Sequence, residues 1–382
     1  MPETFGVYIH VPFCRSRCRY CDFYSTLDET MISRWMDGVI REIALSPAPD
    51  SLSVDTVYFG GGTPSLLGSR DVERLLGAVD LNYGIGPDAE ITLEANPGTV
   101  SLEQLKHLRA MGVNRLNFGL QSLDDRALAF LGRGHSVAEA KNAWDMARKA
   151  GFSNMGLDLI YGLPGQGIGE WEKELGKGLC FEPEHLSLYM LSIEEDTPMG
   201  RDLALGRIKA PDEGQVADLL RFTLNFMDDQ GYPWYEVSNF AAAPGYQSRH
   251  NLGYWEKKPY IGFGPAAHSW LPPVRRSNVS DLGLYADLIR EGKTPLDMEE
   301  ELDSEAMRLE SFYLGFRTRK GLDVAAFDDA FGGDFFRDYS AVLDSFERKG
   351  FIDCGGGFCR LTVKGMVFLD TITLAFCCHE TG

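Results

Sequence analysis

The chain has 382 residues, 44% apolar and 24% charged, an ordinary globular mix and long enough for one large domain plus a smaller one. Its formal net charge of −19, from 56 acids against 37 bases, argues against nucleic acid or an anionic membrane as the main partner, since both reward clustered Lys and Arg. No stretch approaches the roughly 20 apolar residues of a membrane helix, and Met1–Gly6 has no basic start, so the expectation is no integral membrane segment, no secretory signal and a cytoplasmic location.

In chain order, β-rich runs are predicted near Val7–Val11, Thr56–Phe59, Glu90–Leu93, Arg115–Phe118, Gly156–Ile160 and His185–Leu188. Amphipathic segments at Met31–Leu45, Asp71–Val79, Leu102–Met111 and Val137–Ala150 lie between them, two of them stopped by Gly112 and Gly151. Strand, helix, strand with short loops implies parallel strands joined by crossover helices. Polar residues recur at the strand ends: the cysteines after the first, Gly60–Pro64 after the second, then Glu94, Gln121 and Asp158. A closed or nearly closed barrel gathers such ends at one mouth, whereas an open sheet spreads them along an edge. The expected fold class is therefore α/β, a partial parallel (β/α) barrel over residues 1–295.

After about Pro295 the composition changes. The acidic run Asp297–Asp303 reads as a solvated linker or helix start. Helices are predicted near Glu305–Phe316, Val324–Phe331 and Phe336–Lys349. A strand at Phe351–Asp353, a Gly355–Gly357 turn, a strand at Phe358–Leu361 and a last helix near Val363–Phe376 follow. Residues 296–382 should form a small, mostly helical, winged-helix-like domain, and this tail is not basic enough to suggest DNA.

Eight cysteines in a reducing compartment do not suggest a disulfide framework. Three of them, Cys14, Cys18 and Cys21, form Cys-x3-Cys-x2-Cys and can converge on one metal centre. Zinc in a structural site takes four ligands, and the fourth candidate, His10, sits inside the first predicted strand. A cubane iron–sulfur cluster takes one ligand per iron, so three thiolates leave one iron open to a chelating small molecule. Arg15, Arg17 and Arg19 surround the thiols and suit an anionic centre as well as a solvated loop.

The pattern resembles the signature of radical S-adenosylmethionine (SAM) enzymes, and its place after the first strand agrees. The resemblance implies a [4Fe–4S] cluster on the three cysteines and SAM on the open iron, with an electron donor for the cluster. Tyr8–Cys14, Cys21-Asp22-Phe23, Gly60–Pro64 and Asp158–Pro164 are similar to the oxygen-independent coproporphyrinogen III oxidase group. Carried over by motif position, the SAM contacts would be Tyr8, Tyr20, Gly61, Gly62, Thr63, Glu94, Gln121, Arg133 and Asp158, with Arg133 pairing the methionyl carboxylate. A glycine run also lets a ligand approach the backbone closely.

Two departures stand out. Those oxidases carry a further cysteine two residues after the third, where this chain has Phe23, and a longer segment before the first strand. Both features resemble the related haem chaperone family HemW, which has a His-Asn-x-x-Tyr-Trp motif, here His250, Asn251, Tyr254 and Trp255. That resemblance implies haem binding near His250, with His268 a second candidate, and delivery of haem to an acceptor protein. The alternative it leaves open is radical oxidative decarboxylation of coproporphyrinogen III to protoporphyrinogen IX.

Overall fold

The first strand, β1 (Thr4–Val11), alternates strictly. Phe5, Val7, Ile9 and Val11 are fully buried on one face, while Gly6, Tyr8 and His10 share the other. The computed structural model describes residues 4–47 and 52–378, and the same alternation recurs across it. The strands are joined through helices as follows: α1 (Ile32–Leu45), β2 (Ser53–Gly61), α2 (Ser69–Tyr83), β3 (Ile85–Ala95), α3 (Leu102–Ala110), β4 (Arg115–Gln121), α4 (Asp125–Leu131), α5 (Val137–Lys149), β5 (Met155–Tyr161), α6 (Ile168–Leu179) and β6 (His185–Met190). All six predicted strands are present.

The apolar face of each strand packs on the helices. Phe5 meets Tyr83 of α2 edge to face at 5.8 Å, and Phe118 meets Trp144 of α5 at 5.9 Å. Helix α2 presents Val72, Leu75, Leu76, Val79 and Tyr83 at the three- and four-residue spacing of one helical face. Burial of each such side chain contributes roughly 1.5–3 kcal/mol. Ser136 caps α5 in a reciprocal pair with Glu139, and Gly151 ends it at a φ of 94°.

Strands β1 to β6 are parallel and lie in sequence order. The other edge of β1 pairs, also parallel, with Tyr260–Phe263. Strands His268–Leu271, Val274–Asn278 and Leu296–Glu301 then extend the sheet outward. Because both edges of β1 are occupied, β1 and β6 cannot close on each other, and the barrel is partial, as expected from the strand-end pattern. The acidic run expected to be a linker departs from its reading. Leu296–Glu301 is an exposed edge strand, where Glu299 pairs with Arg276 of the neighbouring strand at 2.5 Å, so its charges face water without penalty.

The chain divides into two compact units. The first is the chain up to Pro211 with Lys258–Glu300, and the second is Asp212–Lys257 with the chain from Glu301. The second unit is thus wider than residues 296–382. Arg319 forks onto both oxygens of Asp228 at 2.6 and 2.9 Å, and Glu236 bridges to Thr318 as in an antiparallel ladder. Its core is aromatic: Phe312 lies 5.1 Å from Phe327, 5.2 Å from Tyr339 and 5.3 Å from Phe376. Leu322–Asp323, Phe358–Leu361 and Ile352–Gly355 form a three-stranded antiparallel sheet beside these helices. Its glycine turn sets Cys354 directly opposite Cys359, 4.2 Å apart at Cα and joined as a disulfide, a pairing not anticipated from the sequence. Among the described residues no helix is long and apolar enough to cross a membrane.

One buried carboxyl ties α1 to the 258–300 segment. Glu42 accepts from the Tyr285 hydroxyl at 2.5 Å, the Gly264 amide at 2.9 Å and the Asn278 amide nitrogen at 2.6 Å. Burial pushes it up to about 7, against those three bonds. All three partners donate, so a glutamine in either orientation sets an N–H2 against a donor. Glu42→Gln is expected to lower unfolding free energy by about 1–3 kcal/mol in chemical denaturation, with unchanged secondary structure by circular dichroism.

Candidate functional site

The second face of each strand, opposite the helices, is polar. Tyr8 and His10 on β1 are followed around the barrel by Tyr58, then Glu90, Thr92 and Glu94, then Arg115, Asn117 and Gln121, then Asp158, then His185 and Ser187. The interior of a βα barrel is ordinarily filled by layers of Val, Ile and Leu. Here four interior-side groups are buried with no hydrogen-bond partner among the described residues: Thr92 Oγ1, Asn117 Oδ1, Gln121 Oε1 and Arg133 Nε. Buried polar atoms are rarely left so, and unmet ones mark places where a ligand or water belongs. Gln121 adds backbone strain, with a φ of 70° in a non-glycine residue at the end of β4.

The three cysteines lie on the loop that leaves β1. Backbone bonds fix its ends: the Cys14 amide donates to Thr26 O at 2.9 Å and the Arg19 amide to Leu131 O at 3.0 Å. A hydrogen-bonded strap then joins two of the thiols across the strand ends. Thr63 Oγ1 donates to Cys14 Sγ at 3.5 Å and accepts from Asn96 Nδ2 at 2.9 Å. Arg133 Nη2 donates to Asn96 Oδ1 and to Gly119 O, both at 2.5 Å, while its Nη1 reaches Cys18 Sγ at 3.3 Å. Burial opposes the Arg133 charge, but Tyr20 and Cys18 beside it raise its pKa overall. The Tyr20 ring packs against Leu131, Ile160, Leu191 and Met199. Arg133 was expected to fork onto a carboxylate. Both its terminal nitrogens already donate, and Nε is buried with no partner among the described residues.

Burial raises the Cys14 and Cys21 thiols, so a metal bound there would displace protons. Among the described residues no three His, Cys, Asp or Glu side chains converge as a single ion requires. His10 does not serve as a fourth ligand. Its Nε2 donates to Tyr24 O at 3.0 Å, which fixes the neutral tautomer, and Nδ1 then accepts from the Tyr8 hydroxyl at 3.1 Å. Burial lowers its pKa, consistent with that neutral ring.

Of the three carboxyls on this face, Glu90 lies 4.0 Å from Arg115, and burial raises the other two. Glu94 accepts from the Tyr58 hydroxyl at 2.7 Å and from the Gly61 amide, and burial pushes it up to about 7. Asp158 accepts from Asn117 Nδ2 on both oxygens at 2.8 Å and from Ser187, and burial pushes it up to about 6. Each is deep in the protein yet keeps part of its surface accessible. The Asp158 charge adds to the upward shift of Glu94, so each proton lost makes the other harder to lose.

The glycines after β2 have a reason that the sequence did not show. A Cβ on Gly61 would lie 2.6 Å from the His10 ring, and one on Gly62 2.7 Å from Phe13 O and 2.9 Å from Val11 O. They are required first by the close approach of β1 and its cysteine loop.

Comparison with known proteins agrees with this geometry. Residues 8–176 match the model of the Radical SAM superfamily, and residues 302–368 that of the HemN C-terminal domain. The chain is 36% identical to the heme chaperone HemW of Mycobacterium tuberculosis (strain ATCC 25618 / H37Rv), over 97% of this chain and 94% of that one. It is 33% identical to the heme chaperone HemW of Bacillus subtilis (strain 168), over 97% and 98%. The chain belongs to the HemW family. Its fold is shared with coproporphyrinogen III oxidase (HemN) from Escherichia coli, with a TM-score of 0.84 at 23% identity over 99% of this chain and 91% of that one.

The His250-Asn251-x-x-Tyr254-Trp255 segment lies in the second unit. His250, Asn251, Tyr254 and Trp255 share one helix, Arg249–Trp255, capped by Ser248 on the Asn251 amide. His250 is only 4% exposed and its Nε2 bonds the Tyr254 hydroxyl at 2.8 Å. Trp255 lies under Arg317 at 4.7 Å. His268 belongs to the first unit, on the strand His268–Leu271. Phe23, at 68% exposure, stands on the cysteine loop and supplies no fourth thiol.

Of the residues singled out in the sequence, the structure joins Cys14, Cys18, Thr63 and Arg133 in one hydrogen-bonded set; Tyr58, Asn96, Asn117 and Ser187, not singled out, bond to that set or to Glu94 and Asp158. Their signal was alternation: Tyr58 two before Gly60, Asn117 two before Gly119, each polar between apolar neighbours. Gly62→Ala is expected to destabilise the protein by about 1–3 kcal/mol through backbone overlap and to lower iron uptake on anaerobic reconstitution. Gly77→Ala, where a Cβ meets nothing within 4 Å on α2, should be neutral or stabilising by up to about 1 kcal/mol. Denaturation midpoints and iron content of the pair check this.

Proposed function

We propose that the protein is a haem-binding chaperone on a radical SAM scaffold, carrying a [4Fe–4S] cluster and SAM and passing haem to an acceptor protein. The observation that carries the reading is membership of the HemW family together with an intact His250-Asn251-x-x-Tyr254-Trp255 helix. An imidazole can be an axial haem ligand, and Tyr and Trp rings pack well on a macrocycle.

Cys14, Cys18 and Cys21 would hold the cluster, one thiolate per iron, with Thr63 and Arg133 donating to the sulfur atoms. The donor set fits that group: three thiols on one loop, two of them already facing hydrogen-bond donors. The SAM shell would be Tyr8, Tyr20, Gly61, Gly62, Thr63, Glu94, Gln121, Arg133 and Asp158. The unmet Gln121 Oε1 and Arg133 Nε offer a ligand one acceptor and one donor, and the two deep carboxyls suit its cationic part. Glu94 and Asp158 accept from hydroxyl and ammonium groups and offset a sulfonium charge. Arg133 holds the loop in register with β3 and β4. When bound, the cluster and SAM supply one-electron chemistry at the sulfonium. An electron donor for the cluster follows from that chemistry.

Three measurements test the reading. Anaerobically reconstituted protein should contain iron and acid-labile sulfide, and Cys18→Ala should lose both. Haem titration should give a ligated spectrum that His250→Ala alters; an unchanged spectrum removes His250 from its role. Incubation with coproporphyrinogen III, SAM and reductant should yield no protoporphyrinogen, as expected for a chain with Phe23 at the position of the oxidases' further cysteine, and product formation would replace the chaperone by the oxidase.

SAM affinity should depend on pH. Both carboxyls are pushed up by burial, Glu94 to about 7 and Asp158 to about 6. Each must be anionic to receive a cation, so binding strengthens as pH rises through that window and levels off above it. Below the window, affinity should fall about tenfold per pH unit for each required ionisation. Glu94→Gln should bind weakly throughout with a flatter profile, read by isothermal titration with SAM.

A further inference from the structure

Beside the His250 helix, within the second unit, stands a cation that the reading so far leaves without a task. The Arg317 guanidinium lies 4.7 Å from the Trp255 ring centre and 5.5 Å from the Tyr313 ring, with a long contact of 3.5 Å from Nη1 to the Tyr313 hydroxyl. Its backbone is fixed, since Arg317 O accepts from the Val237 amide at 3.0 Å and the next residue, Thr318, bridges to Glu236. A guanidinium held against an indole keeps its N–H donors in its own plane, where they can fork onto a carboxylate.

Two donors here are unmet. Arg317 Nε and Trp255 Nε1 are both buried without a hydrogen-bond partner among the described residues. Each is a donor only, so what both lack is an acceptor. The nearby carboxylate, Glu236, feels the Arg317 charge but makes no hydrogen bond to it; its Oε1 accepts from the Ser238 amide and the Asn239 side chain. Two adjacent unfilled donors, one cationic, define a small anion site on the residue that closes the His250 motif.

We propose that Arg317 and Trp255 form the carboxylate subsite for the macrocycle carried at His250, an inference that rests on the haem reading above. Haem bears two propionate carboxylates on one edge, and an iron bond from a histidine alone does not fix the orientation of the ring about that bond. A carboxylate held by Arg317 and the Trp255 N–H fixes it. The subsite selects iron porphyrins with free acid side chains over neutral ones.

The test compares haem with haem dimethyl ester, in which both carboxylates are masked, on the full chain, read by absorption titration. Wild type is expected to bind haem about tenfold to a hundredfold more tightly than the ester, the range for a hydrogen-bonded charged pair. Arg317→Gln should lose that preference and bind both at the wild-type ester affinity, and Arg317→Lys should retain part of it. Equal affinity of wild type for the two ligands overturns the proposal without any variant. So does an Arg317→Gln that keeps the full preference, or one that weakens both ligands equally, which marks a purely structural prop for Trp255. The His250→Ala spectrum separates the two layers. If it is unchanged while the Arg317 preference persists, the axial-ligand reading fails and the carboxylate subsite stands. If wild type binds neither ligand, both fail together.

Discussion

The site depends on one buried cation. Arg133 reaches Cys18 on the loop, Asn96 at the end of β3 and the Gly119 carbonyl in β4, and through Asn96 and Thr63 it reaches Cys14. Burying a guanidinium is costly unless its donors are met, so each of these contacts is enforced by the penalty for losing it. A cysteine loop has little of its own to hold it. Here its shape is set from strands that lie two and three places away in the sheet, which the curvature of the barrel brings within reach.

The polar interior follows the same logic on a larger scale. A strand face lined by Tyr8, Tyr58, Glu94, Asn117 and Asp158 gives up the apolar packing that ordinarily fills a barrel. The apolar faces turned to α2, α5 and α6 carry the stability instead. The interior is then free to hold groups that are comfortable only with a partner. Glu94 and Asp158 are raised because burial penalises their charge. Tyr58 and Asn117 limit that penalty without removing it, so the pair stays poised near neutrality.

Most of the barrel was legible because period-two alternation and terminal glycines are local signals. Glu94, Gln121 and Asp158 stood out as polar residues at strand ends, where no register is needed to see them. Tyr58 and Asn117 sit mid-strand, and their partners become visible only when β2 is set beside β3 and β4 beside β5. The second unit was legible only in its C-terminal part. Asp212–Lys257 joins it through contacts such as Arg319 to Asp228, between segments far apart in sequence. The acidic strand Leu296–Glu301 failed for a related reason: its pairing energy comes from the neighbouring strand, and its own side chains are all exposed. At Gly61 and Gly62 the sequence suggested the approach of a ligand, whereas the close neighbours in the fold are the His10 ring and the Phe13 backbone.

The geometry at His250 bears on how a carrier can both hold and release its cargo. In this state the imidazole is buried and bonded to Tyr254. Under the haem reading, iron must take a nitrogen from its present surroundings. A hydrogen bond of this kind is worth about 1 kcal/mol net, so breaking it lowers apparent affinity only about fivefold. That is small beside an iron–nitrogen bond and does not bar loading. It is enough to favour recapture of His250 by Tyr254 once an acceptor competes for the iron. Tyr254 acts in that scheme as a competing partner for the imidazole, whereas Trp255 and Arg317 orient the ring.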